Sequence, residues 1–182
     1  MYRRWLAGAA GLGIAILAVA ADPKPEGEFT ANASVMTPSG TRSMGMTVFV
    51  TRPLTVEQAQ PLKKILAEGG QQALLNSIKG GNRGHFRLGA IDYPIDVAIV
   101  EPTRDGFHYV VVTGRALRYE EVDQGSAALD HPFTVAIFDV PGFGSGEGRI
   151  YTRAAIGIDA DGHPTVEQYG GTPGTLREIK RR

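Results

Sequence analysis

The residue types able to do chemistry in this chain are few and scattered. Its four histidines, His85, His108, His131 and His163, show no HxH or HExxH spacing, so no zinc-type ligand set is legible. His85 and His108 fall in strand-like segments and can meet only if those strands pack together. Asp92, Asp96 and Glu101 offer carboxylates for general acid–base work, although Asp92 and Asp96 have the spacing of outward strand positions. Ser126, Asp130 and His131 supply the types of a nucleophilic triad, but near neighbours on one loop rarely reach the required geometry.

Two glycine-bearing motifs invite ligand readings. Asp159-Ala160-Asp161-Gly162 looks like half a calcium loop, yet Gly157 and Gln168 occupy its first and last ligand positions, so a tight turn is expected. The run PGFGSGEG at 141–148 lacks the Lys-Ser/Thr ending of a phosphate loop. Ser145 is no nucleophile elbow, because Phe143 and Glu147 stand where glycines are needed. These glycines are expected to supply positive φ and a bulge in a hairpin. With no cysteine, thiol chemistry, disulfides and Cys-ligated metals are excluded. No catalytic residue, cofactor or metal is therefore assigned.

The elements that would position these groups are mostly strands. Residues 133–158 alternate on both sides of the glycine run, which predicts a long antiparallel hairpin. Read by strict parity, Val135, Ile137, Ile150, Ala154 and Ile156 all face one core. A first hairpin is expected from residues 29–35 and 44–50 about Pro38-Ser39-Gly40. The period then changes: Thr55 and Gln58 resemble a capping box, with Val56, Ala59, Leu62, Ile65 and Leu66 on one helical face. Pro61 predicts a bend or a late start, Gly69-Gly70 a break, and residues 71–79 a second short helix. Residues 85–88, 93–99 and 107–113 return to strand, the last two joined through Asp105-Gly106. Both faces of these strands are apolar, so the sheet should be covered on both sides or curled into a barrel with helices outside. Residues 120–131 read as a loop and 165–169 as a weak last strand. The expected class is α+β: a mainly antiparallel, curved or barrel-like meander with a helix pair inserted after the first hairpin.

The 182 residues suffice for one domain, placed at 29–182, after a polar lead-in at 21–28. Residues 1–20 read as a signal peptide, with Arg3 and Arg4 before an apolar run and Ala18-Val19-Ala20 at a cleavage site. A periplasmic or secreted location follows, with no membrane span after cleavage. The 17 basic and 19 acidic residues that remain give no electrostatic reason to bind nucleic acid.

Leu62, Leu66, Gly70 and Leu74-Leu75, the stretch TGRALRYEE at 113–121, HPFTVAIFDV at 131–140 with GSGEG after it, and the closing EQYGGTPGTLREIKR together carry a resemblance. The chain resembles uncharacterised exported bacterial proteins of acidobacterial type. That resemblance implies secretion and a shared fold and lends no catalytic residue. The functional expectation is a non-catalytic exported or envelope-associated module binding an unknown small molecule or protein partner. The alternative is a hydrolase whose carboxylates or histidines converge only in three dimensions. A dry apolar cavity favours the first, and paired ionisable groups inside a closed pocket favour the second.

Overall fold

The structure is a computed structural model that describes residues 24–37, 40–116 and 130–182. The expected signal peptide, Pro38-Ser39, most of the 120–131 loop and Ser126 lie outside the described residues. In chain order the elements are β1 Gly27–Thr37, β2 Gly40–Val50, α1 Val56–Ile78, β3 Gly84–Leu88, β4 Ile91–Pro94 and β5 Val97–Thr103. They continue with β6 Gly106–Thr113, β7 Phe133–Pro141, β8 Gly146–Ile158, β9 Pro164–Gln168 and β10 Gly174–Arg181.

The ten strands of the described residues join one sheet, in the order β4-β3-β2-β1-β10-β8-β7-β6-β5, with β9 added to β8. The pairings between its strands are antiparallel. The two end strands, β4 and β5, are consecutive in the chain and separated only by Ile95 and Asp96. That link forces the sheet to curl towards itself as a half-barrel. The outer edge of β5 is covered locally by Leu54, whose N–H donates to the Ala98 carbonyl (2.7 Å) and whose carbonyl accepts from Val100 N–H (2.9 Å). The mainly antiparallel, curled architecture expected from the sequence is thus present.

Curling gives the sheet two different faces. The concave face holds a core of Phe29, Met46, Phe86, Tyr109, Phe138, Ile150 and Leu176, among others. Its centre is aromatic, with Tyr109 stacked on Phe138 (centroids 5.2 Å apart) and tilted against Phe29 (5.0 Å). On the convex face α1 packs Leu66, Leu74 and Ile78 over Val97, Val112, Phe133, Val135 and Ala154. The apolar residues on both sides of the central strands therefore serve two cores.

The helical insertion, α1, is interrupted at Gly70, where the Gly69-Gly70 break was expected, with helix on both sides of the kink. Its start is set by the capping box: Gln58 N–H donates to Thr55 Oγ1 (3.3 Å) and Thr55 N–H to Gln58 Oε1 (3.0 Å). It begins at Val56 and runs through Pro61. The non-helical residue is Gly70, whose φ of 68° is cheap only for glycine and turns the axis without a loop. Just past this kink, Gln71 docks on β8, accepting from Ile156 N–H (3.0 Å) and donating to the Ile156 carbonyl. Among the described residues no helix is long and apolar enough to cross a membrane.

The hairpin of β7 and β8 departs from strict alternation. Phe133 pairs with Ala154 but Val135 pairs with Tyr151, so Thr152 and Arg153 together oppose Thr134. This bulge moves β8 by one residue, and residues of one parity change face across it. Ile150 faces the concave core, while Ala154 and Ile156 face α1. The expectation that all five face one core is corrected accordingly.

Residues 24–26 are tied to the body: Tyr109 Oη donates to the Pro25 carbonyl (2.9 Å), and the Arg181 guanidinium donates to the carbonyls of Lys24 and Glu26. Burial pushes the Tyr109 phenol up to about 12, with the Arg181 charge offsetting part of the rise. The unfolded phenol ionises near pH ~10, so the stabilisation is present below that pH and is lost as pH climbs from there to about 12. Tyr93 is shifted in the same direction, mainly by burial. Urea midpoints should fall by the equivalent of about 2 kcal/mol across this window, and Tyr109→Phe should flatten most of the fall. An equal fall in Tyr109→Phe would assign it to other groups.

Candidate functional site

Between α1 and the convex face of the sheet lies a cavity of about 530 Å³. Its floor is built from three cross-strand rows fixed by register. Val97, Val112 and Val135 form the first, Ile99, Val110 and Ile137 the second, and Glu101, His108 and Asp139 the third. The first row is buried, the second half-buried, and the third reaches solvent. The floor thus runs from a closed apolar end to a polar mouth. Glu101 and His108 line the mouth directly, together with Gln60, Lys63 and His163.

The roof follows the same gradient. Leu74 and Ile78 cover the closed end, Leu66 and Leu62 the middle, and Lys63 and Gln60 the mouth. Ile156, Ile158 and Val166 of the β8–β9 hairpin form a side wall. Ala59 presents only a methyl group to the space, and no Phe, Tyr or Trp lines it among the described residues. Several large aliphatic side chains are consequently left half-buried on a common surface, a state that a bound apolar body would complete.

One polar pair is well defined: His108 Nδ1 lies 2.7 Å from Asp139 Oδ1. The carboxylate fixes the ring through Nδ1 and leaves Nε2 as its other hydrogen-bonding atom. The side chains are 34% and 66% exposed, so the pair belongs to a wet rim rather than a closed pocket. No serine, threonine, tyrosine or cysteine lines the cavity among the described residues.

The other candidates are dispersed. His85 on β3 sits against the Phe49 ring (5.4 Å), and β3 is not a neighbour of β6, so His85 and His108 do not meet. His131 packs on Tyr169 (5.2 Å) with its Nδ1 buried and without a hydrogen-bond partner among the described residues. Asp130 is exposed. Asp92 is exposed beside Arg87 (3.9 Å). Asp96 is not an outward strand residue: it is buried, accepting from Gly80 N–H (3.0 Å) and Gly114 N–H (2.7 Å).

Asp159, Asp161 and His163 bring ligand atoms within 4.8 Å of one another in the exposed β8–β9 turn. Asp159 Oδ1 is already engaged there, accepting from Asp161 N–H (3.0 Å) and His163 N–H (2.7 Å). The His163 N–H is the main reason its carboxyl is held below the usual range. This is turn chemistry. The glycine run forms the β7–β8 hairpin, with Gly144 at φ 91° and Phe143 94% exposed at the tip. A Cβ on Gly146 would run into the Asp139 carbonyl oxygen, so close strand approach explains that glycine.

Asp139, Gln60 and Lys63 were missed by motif reasoning. The signal for Lys63 was present in the helix: it follows Ala59 by four and precedes Leu66 by three, a charge on the apolar face. Comparison with protein-family models, curated proteins and solved structures found no match to this chain.

Proposed function

We propose that the chain is an exported, non-catalytic module that holds a small amphipathic molecule in the cavity under α1. The observation that supports this is the register of three rows, which grades one half-open cleft from aliphatic to polar. A volume of about 530 Å³ lies within the range typical of small-molecule sites. Export rests on the order of Arg3-Arg4, the apolar run and Ala18-Val19-Ala20, and on the resemblance to exported bacterial proteins. A periplasmic or secreted location belongs to the same proposal.

The His108–Asp139 pair supports a second reading, hydrolysis of an ester whose chain lies in the cavity, with His108 as general base for water. The wet rim and the absence of a hydroxyl nucleophile from the described lining favour binding over turnover. Turnover of p-nitrophenyl decanoate that disappears in His108→Ala would reverse that ranking.

Binding is tested by calorimetric titration with decanol. The whole chain should bind one equivalent saturably. Val110→Phe, which pushes a ring from the middle row into the cavity, should weaken binding by about tenfold or more, the scale of roughly 1.4 kcal/mol. Its melting temperature should stay within a few degrees of wild type, because the ring enters existing space. Unchanged affinity in Val110→Phe would place the decanol elsewhere.

A further inference from the structure

We infer that the molecule held under α1 carries an anionic head, a carboxylate on a single aliphatic chain, and that Lys63 reads it. This rests on the cavity reading above and adds the sign of the head group.

The inference starts from where Lys63 stands. Ala59, Lys63 and Leu66 share one face of α1, and Ala59 and Leu66 are buried under it. A lysine at such a position lays its aliphatic stem along apolar surface and carries its ammonium to the nearest water. Here that place is the cavity mouth: Lys63 is half-buried, lines the cavity, and brings Nζ to 3.6 Å from the point where a Cβ would stand if Gly162, across the opening, carried a side chain. The next residue, Lys64, is exposed and pairs with Glu68 (3.8 Å) in the ordinary manner of a helix surface. Lys63 has no ion pair or hydrogen bond among the described residues.

The remaining charges at the mouth are answered differently. Asp139 is engaged by His108. Asp159 is engaged by the N–H groups of its own turn and lies 3.7 Å from His163 Nδ1. Glu101 and Asp161 are the carboxylates that oppose an anion, but both are exposed: Glu101 lies in the outer row directly across the strand pair from His108, and Asp161 lies in the β8–β9 turn beside His163. Solvent screens a fully exposed carboxylate more than it screens the charge of a half-buried lysine. A chain in the aliphatic end therefore brings its head beneath the one half-buried cation of the opening that the described residues leave unpaired. A charge-assisted hydrogen bond from Lys63 to a carboxylate completes that cation.

Calorimetric titration with decanoate, decanol and decylammonium at neutral pH tests this, using wild type, Lys63→Met and Lys63→Glu. Wild type should bind decanoate about tenfold tighter than decanol. Lys63→Met should abolish that preference while leaving decanol affinity within about twofold, and Lys63→Glu should turn the preference to decylammonium. Decanol binding with no gain for decanoate in wild type would overturn the anionic head and leave the cavity reading standing. Equal weakening of decanoate and decanol in Lys63→Met would also overturn it, since Lys63 would then only shape the wall. Failure of all three to bind would sink both readings.

Discussion

Ile150→Asp is expected to unfold the domain, whereas Ile156→Asp, of the same parity in the same strand, should leave it folded and unable to hold decanol. Ile150 is fully buried in the concave core, paired with Ala136 on β7 and Gly174 on β10. A carboxylate there has no water and no partner, and desolvation alone costs several kcal/mol. That approaches the whole stability of a typical domain, ~5–15 kcal/mol. Ile156 lies beyond the bulge, half-buried in the cavity wall. Its aspartate can be hydrated from the cavity, so the loss is near that of one partly buried aliphatic side chain, roughly 1–2 kcal/mol. Urea unfolding followed by far-UV circular dichroism, with a decanol titration of each folded variant, separates the two. Equal destabilisation would mean that Ile150 and Ile156 share one core and that the bulge does not divide the strand.

That contrast marks how far alternation can be read. Period-two patterning located the β7–β8 hairpin and the strands on both sides of it, because each residue's apolar character reports only that some face is buried. It does not report which face once a bulge intervenes. Nothing in Tyr151-Thr152-Arg153 distinguishes two residues opposite one from a regular ladder; at the bulge Thr134 buries its hydroxyl with the one O–H in reach of the carbonyls of Arg115 (2.8 Å) and Thr152 (3.1 Å). The helix shows the same limit. Thr55 and Gln58 fixed its start because a capping box is local, and Gly69-Gly70 located the kink, but a glycine pair signals a change of direction and not its size.

The site was less legible than the fold. Asp139 lies 31 residues from His108 along the chain, yet the β5–β6–β7 register puts Glu101, His108 and Asp139 in one row. Motif searches look for functional groups at fixed sequence spacing, and a cross-strand row has none. The cavity itself leaves only indirect marks: a small Ala59 facing it, and Lys63 on a face otherwise apolar.

Asp96→Ala should lower stability by about 2–6 kcal/mol, and the loss should reach the cavity as weaker decanol binding. Asp96 sits on the short link between β4 and β5, the two ends of the curled sheet, with its own N–H given to the Val112 carbonyl (3.0 Å). One carboxylate oxygen accepts from Gly80, just past the end of α1, and the other from Gly114, just past β6. Removing the side chain strands two part-buried N–H groups at once, each costing about 1–3 kcal/mol when left unmade. Asp96→Asn keeps one acceptor and turns an amide donor towards the other N–H, so it should lose an intermediate amount. Ile78 lines the closed end of the cavity two residues before Gly80, so freeing Gly80 releases the roof where the aliphatic chain would lie. Urea midpoints should therefore rank wild type above Asn above Ala, with decanol affinity falling in the same order. If both variants unfold and bind as wild type does, the two hydrogen bonds hold neither the sheet ends nor the helix.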